Sequence, residues 1–450
     1  MKISKPKDMK NLTIYILSTL FLVSCAPEKK STPPALRSVE SSVIYEVNIR
    51  QYTPEGTFQA FSKHLPRLKQ LGVDILWLMP VYPISEKFRK GTLGSYYAVK
   101  DYRKVNPEFG TPEDLKQLVA QAHELGFRVI LDWVANHTGW DNPLIEQHPD
   151  WYTHKDGKII SPVEDWADVA DLNYDNPEMR EYMVGSLQYW LREADIDGFR
   201  CDMAAMVPTD FWEATRPRLD SIKPVFMLAE AWEPELTRKA FDACYGWELH
   251  HLMNDIAQGE KDGSDLLVYF QKVDTLYSKH TMLLNFLDNH DENSWNGTIQ
   301  SRMGEAQKVF ATLAWTVPGI PLIYTGQEVG LNKSLKFFDK DEVNWQNDTT
   351  LTVFYRQLNE LKHQSKALNA GIHKGDFHIL SHDNEKNVFA YERKSGTENL
   401  IIILNLTDKI QHVSFNGKLQ GNYADCFTKE KIPNINDFKL QPYDYKVLSH

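Results

Sequence analysis

From about residue 43 to 365, short apolar runs alternate with stretches in which apolar residues recur every three or four positions. This is the pattern of strands and helices taking turns around a parallel sheet. Strands are predicted at 43–49, 73–79, 128–133, 196–201, 225–229, 281–287 and 320–324, with a weaker one at 244–249. Eight such strands imply a (β/α)8 barrel of the TIM type. Between them, Thr111 can cap a helix opened by Pro112, Glu113 and Asp114, with Leu115, Leu118, Val119, Ala122 and Leu125 on one face and Gly126 ending it. Asn176 and Pro177 open another, on which Met179, Met183, Leu187, Trp190 and Leu191 recur at core spacing. The connection after the third strand, 138–175, is long, weakly periodic and rich in Trp, Asp and His, so it reads as an inserted functional loop. Beyond residue 365 the helical periods stop. Runs such as 387–391 and 400–406 alternate with Gly, Asn and Asp, which suggests a C-terminal antiparallel β domain over 366–450.

The first residues follow a different pattern. Lys2, Lys5, Lys7 and Lys10 precede an apolar stretch from Leu12 to Val23, short for a membrane span and typical of a removable export signal. Its end, Leu22-Val23-Ser24-Cys25, resembles the lipobox of bacterial lipoproteins, in which the signal is cut before a cysteine that then carries acyl chains. The resemblance implies a signal peptide over 1–24, lipidation at Cys25, and an exported, membrane-anchored protein. Residues 25–42, with Pro27, Pro33, Pro34 and several Lys and Ser, then read as a solvated tether ahead of the barrel at 43–365.

Composition narrows the function. A chain of 450 residues, 42% hydrophobic and 25% charged, can bury a large core. A net charge of −11 argues against a nucleic-acid partner, since phosphate neutralisation needs clustered cations. After Cys25 only Cys201, Cys244 and Cys426 remain, too few for a disulfide framework, and no zinc spacing or phosphate-cradling Gly loop occurs.

In such a barrel, polar residues just past the carboxyl ends of the strands share one mouth. Four segments place acids there: Asp132-Trp133-Val134-Ala135-Asn136-His137, Gly198-Phe199-Arg200-Cys201-Asp202, Ala229-Glu230-Ala231-Trp232 and Phe286-Leu287-Asp288-Asn289-His290-Asp291. Any one acid alone reads as a helix cap or a solvated loop residue. Four in register on four strands do not, because burying them without partners costs stability.

In this order the four segments resemble the conserved regions of the α-amylase family of glycoside hydrolases. Three further stretches add to the likeness, which runs over about 43–450: Gly94-Ser95-Tyr96-Tyr97, Ala170-Asp171-Leu172-Asn173, and Gly319-Ile320-Pro321-Leu322 continuing to Glu328. The resemblance implies that Asp202 attacks the anomeric carbon, Glu230 protonates the leaving oxygen and Asp291 holds sugar hydroxyls. It also implies hydrogen bonds to the reacting glucose from His137 and His290, and stacking beneath it by Tyr97. A retaining mechanism needs two carboxyl groups roughly 5 to 5.5 Å apart, one ionised and one protonated. Arg200, two residues before Asp202 on one strand, projects to the same side and is expected to keep Asp202 ionised, while Asp202 and Asp291 raise the pKa of Glu230. Trp133 and Trp232 fit either a sugar contact or barrel packing, and Trp140, Trp151 and Trp166 either further sugar sites or loop anchors.

No cofactor is required for this chemistry. Many relatives carry a structural calcium, and Asn136 and Asp171 match two of its ligand positions with suitable oxygen donors. The match is incomplete, because Met203-Ala204-Ala205-Met206 stands where calcium-binding relatives place Lys-His. The leading expectation is a hydrolase of α-1,4-glucans, from starch to maltooligosaccharides. Transfer of the glycosyl group to another sugar, or glycan binding without catalysis, are the alternatives.

Overall fold

Eight short strands close into a parallel barrel in the computed structural model, which describes Met1 and residues 36–345, 349–417 and 419–450. They are β1 (Ile44–Val47), β2 (Ile75–Leu78), β3 (Arg128–Val134), β4 (Gly198–Asp202), β5 (Phe226–Ala229), β6 (Ala243–Tyr245), β7 (Met282–Asn285) and β8 (Ile320–Tyr324). Each neighbour pairs in sequence order, and β1 closes on β8 through Ile44↔Leu322. Both faces of the sheet are covered, which is why the strands read as continuous apolar runs and not as alternating ones. The weak strand expected at 244–249 stops at Tyr245, because Trp247–Ala257 forms a helix. Its burial on one stripe, with Leu249, Leu252, Met253 and Ile256 inside, is the helical period that the apolar count alone had merged with the strand.

The alternation of side chains along each strand sorts the residues between two cores. Ile44, Ile75, Ile130, Phe226, Leu284 and Ile320 fill the inside of the barrel, whereas Tyr45, Leu76, Leu131, Phe199 and Cys201 face the surrounding helices. One step further along the same inward rows the residues turn polar: Glu46, Asp132 and Arg200 are all buried. At the start of β4 a side chain is impossible. Gly198 has φ +148, and a Cβ there would lie 1.9 Å from the Phe226 carbonyl oxygen.

The helices include α1 (Leu65–Leu71), α2 (Pro112–Glu124), α3 (Pro177–Glu193), α4 (Thr209–Asp220), α5 (Trp247–Ala257), α6 (Gly263–Leu276), α7 (Gln307–Thr316) and α8 (Thr349–Gln364). Thr111 caps α2 in a reciprocal box with Asp114, and Leu115, Leu118, Val119 and Ala122 are buried. Asn176 caps α3, whose stripe from Met179 to Leu191 packs against the sheet. The long connection after β3 folds back on itself, His137–Gly139 pairing antiparallel with Val169–Asp171.

After α8 the chain forms a six-stranded sheet whose central strands are Val388–Ser395, Glu398–Asn405 and Tyr445–Ser449, all antiparallel. One face, with Phe389, Tyr391, Ile402 and Val447, joins the core around the barrel; the other builds a small core of its own from Ala390, Ile401, Ile403 and Leu448. Cys201 and Cys244 are buried, Cys426 is half-buried, and all three are free thiols. The expected export signal and Cys25 lie outside the described residues. Among the described residues no helix is long and apolar enough to cross a membrane.

Candidate active site

The mouth of the barrel is organised around Arg200. Arriving fully buried on the inward row of β4, its guanidinium donates from Nη1 to Asp132 Oδ1 at 2.9 Å and to Asp202 Oδ1 at 3.0 Å. Nη2 lies 2.9 Å from Glu230 Oε2, and Nε donates to the Tyr245 hydroxyl at 3.2 Å. Three carboxylates from the ends of β3, β4 and β5 thus meet on one cation. Asp132 is satisfied on its other oxygen by Trp77 Nε1 at 3.1 Å and the Tyr97 hydroxyl at 3.0 Å. The Met203 amide donates to Glu230 Oε2 at 2.8 Å, so both contacts on Glu230 fall on one oxygen. Met203 adopts φ +43 to turn its amide there, a conformation uncommon for a side chain of its size.

One cation against several acids cannot hold all of them ionised in a buried site. Burial first, then the charge of Glu230, pushes Asp202 well above the usual carboxylate range, with Arg200 opposing. Asp132 and Asp291 are raised as well, burial again leading. The expectation that Arg200 keeps Asp202 ionised therefore needs correcting: the guanidinium lowers this carboxyl, but burial and the charge of Glu230 outweigh it. The fork of Arg200 is shared with Asp132 and Glu230, so no single acid takes the whole of its charge.

A second charge system flanks the first. His290 Nδ1 faces Glu46 on β1, and its Nε2 lies 2.8 Å from the Tyr97 hydroxyl and 3.3 Å from Asp291 Oδ2. Burial opposes its charge, but Asp291 and Glu46 outweigh that and raise the imidazole to about 9. A protonated His290 can donate from both nitrogens. His137 behaves oppositely: burial lowers it to about 4, so it is neutral in ordinary buffers.

Asp202, Glu230, Asp291, Tyr97, His137 and His290 all line one cavity of about 640 Å³, and Arg200 lies beneath it. Tyr97 stacks on His290 with ring centroids 5.2 Å apart, and Phe337 lies nearly parallel to Tyr97 with centroids 6.2 Å apart. Of the tryptophans, Trp166 lines the cavity and meets His137 edge-on, while Trp133 faces outward into packing with Tyr82 and Tyr102. Trp151 is a buried anchor stacked on His148. Trp140 packs against Phe88, and Trp232 is 59% exposed beside a separate cavity. Reading the sequence missed Glu46, Lys90, Asp168, Trp295, Phe337 and Phe338. The adjacent Phe337-Phe338 in an otherwise polar loop is the one signal that could have revealed part of this wall.

The pairing of His137 with Asp171 brings the two calcium positions, Asn136 and Asp171, onto neighbouring backbone. Asp171 is half-buried and raised by desolvation, and Asn136 sits against His137 Nδ1. Among the described residues no cluster of three or more His, Cys, Asp or Glu could hold a metal. Calcium takes about six to eight oxygens, and here one carboxylate and one amide supply the side-chain share.

A closed parallel barrel whose mouth gathers acids from separate strand ends defines a barrel enzyme with its chemistry at the carboxyl face. Residues 37–420 match the family described as alpha amylase, catalytic domain. The chain resembles a solved noncanonic maltogenic α-amylase from Thermotoga neapolitana, with 28% identity, TM-score 0.84, and 92% and 99% of the two chains covered. A solved α-amylase from Lactobacillus plantarum shares 30% identity at TM-score 0.83, again over 92% of this chain and 99% of that one. Alpha-amylase 2 of Dictyoglomus thermophilum is 26% identical over 435 residues, 91% of this chain and 73% of the relative. The chain belongs to the α-amylase family and is an O-glycosyl hydrolase.

Proposed function

We propose that this enzyme hydrolyses α-1,4-glucans with retention of configuration. The observation that carries the reading is the pair Asp202 and Glu230, delivered by neighbouring strands and bridged by the single guanidinium of Arg200. Contact with one guanidinium brings both carboxyl groups to the same point of the mouth, as a pair acting on one glycosidic bond must be. Asp202 attacks C1 of the bound glucose and forms a glycosyl ester. Glu230, anchored through Oε2 alone, gives its proton to the departing oxygen and then takes one from the water that cleaves the ester. The mechanism requires Asp202 ionised and Glu230 carrying the proton once substrate is bound.

Asp291, with cationic His290 beside it, holds hydroxyls of the same glucose, neutral His137 donates to it as well, and Tyr97 supplies a flat apolar floor. The maltogenic and α-amylase names of its relatives agree with an α-1,4-glucan as substrate. Reducing sugar released from soluble starch or maltoheptaose, falling to background in Asp202→Asn, tests the reading; absence of turnover on any α-glucan overturns it. The anomer first released, followed by NMR, decides retention.

The amino-terminal sequence supports a further part of the proposal: export and attachment to a bacterial membrane through acyl chains on Cys25. Incorporation of a palmitate analogue into the full chain and its loss in Cys25→Ser is the check. Labelling that survives the substitution rules the anchor out.

A further inference from the structure

The cavity has a feature that hydrolysis itself does not require. Residues 86–94, between β2 and α2, run across the mouth and are tied to both of its walls. On one side Lys90 Nζ lies 3.0 Å from the carboxylate of Asp168 and donates to the Asp165 carbonyl at 2.9 Å, both in the insertion after β3. Phe88 packs edge-on against Trp140 of the same insertion, 5.9 Å between centroids, and the Glu86 amide donates to Asp141 at 3.0 Å. On the other side Thr92 bonds Asp339 through its amide at 2.9 Å and its hydroxyl at 2.6 Å, and the Leu93 amide donates to the Phe338 carbonyl at 2.9 Å. Gly91 permits the close approach, since a Cβ there would fall 2.5 Å from the Phe338 side chain.

These ties are built. Asp168 is nearly buried, so its carboxylate depends on Lys90, and Phe88 and Gly91 take left-handed backbone to carry the strap between walls. The wall it reaches is aromatic. Phe337 and Phe338 sit within 5.3 and 5.8 Å of Trp295, which projects 57% exposed from a π-helical turn, Glu292–Asn296, directly after Asp291. Such turns concentrate at functional sites.

The direction of the strap matters. It adjoins the side of the cavity that holds Tyr97, His137, His290 and Phe337, where the glucose receiving the attack sits. Glu230, on the leaving-group side of the proposed mechanism, is held by Arg200 and Met203. We infer that residues 86–94 close the end of the cleft that receives the non-reducing end of the chain, so that the enzyme removes a short, fixed unit from that end instead of cutting inside a long glucan. A cavity of about 640 Å³ is of the size that encloses a drug-sized ligand, room for about two or three sugar rings. This rests on the proposed glucan hydrolysis and adds where along the chain the cut falls.

Maltoheptaose and the same chain with its non-reducing glucose capped by a 4,6-acetal test the inference with the full enzyme. The free chain is expected to yield one short oligosaccharide from the earliest time points, and the cap to slow initial cleavage by at least about tenfold. In Lys90→Ala, which releases one tie, the gap between free and capped chains narrows and longer first products appear, with an unchanged melting transition showing that the fold survives. Equal rates on both chains with first products of mixed length overturn the inference while glucan hydrolysis stands. No turnover of either overturns both.

Discussion

Buried charge occurs at both ends of the barrel, and the two ends treat it in opposite ways. At the mouth, Arg200 faces Asp132, Asp202 and Glu230 together, and burial pushes Asp132 and Asp202 up toward protonation. At the base, Lys362 of α8 donates to the carbonyls of Gly319, at 2.8 Å, and Leu368, while Arg393 donates to Thr316 at 2.7 Å and more distantly to Asn369 and Gly375. Burial lowers both cations, Arg393 to about 10. Carbonyl dipoles satisfy a cation without creating a group that can accept its proton, so the base is a clasp between barrel and C-terminal sheet. Ionisable partners at the mouth leave protons free to redistribute, which is what acid–base chemistry requires.

Three substitutions separate the two ends. Glu230→Gln keeps the contact with the Met203 amide but removes the proposed proton donor; kcat on maltooligosaccharides should fall by about 10² to 10⁴-fold. The loss should be smallest for substrates with leaving groups that need no proton, measured by comparing aryl glycosides of different acidity. An equal loss on all leaving groups would place Glu230 outside proton transfer.

Lys362→Met acts at the base, stranding two carbonyls, and should cost on the order of 1 to 3 kcal/mol in urea unfolding with kcat unchanged. Lost activity at full stability would break the division between the two ends.

Glu46→Gln has the smallest expected effect and returns to the mouth. His290 is raised to about 9 by Asp291 and Glu46, with Arg200 opposing and the Tyr97 hydroxyl accepting from it. Its charge therefore stabilises the fold fully below about pH 6.5, the ordinary histidine value, and that contribution is lost as pH rises through about 9. Removing the Glu46 charge should move the alkaline limb of kcat/KM from near 9 toward neutrality, and move the alkaline fall in stability the same way. An unmoved limb would assign it to another group.

The contrast also explains what could be read from the sequence. The acids and histidines at the mouth were visible because each lies near or shortly beyond the end of an apolar strand, and the side-chain types carry the chemistry. Seven of the barrel strands stood out as apolar runs, while β6 was blurred because its three residues run almost directly into the apolar stripe of α5. Lys362 and Arg393 gave no signal, since their partners are backbone carbonyls that any residue supplies. Glu46 was hidden for a related reason: one acid inside an apolar strand has no meaning until the barrel closes and brings His290 from β7 against it. The sharing of Arg200 was equally invisible, because strand parity places a side chain on a face but says nothing of how many neighbours reach it.

Cys201 sits between Arg200 and Asp202 in the chain yet faces the other way, sealed among the outer helices, and burial lifts its thiol far out of the reactive range. The barrel wall, one strand thick, thus separates the Asp202 carboxylate from an inert sulfur. Alkylating reagents that spare the working enzyme should capture this cysteine only when the staves part, making its modification a built-in clock for barrel opening.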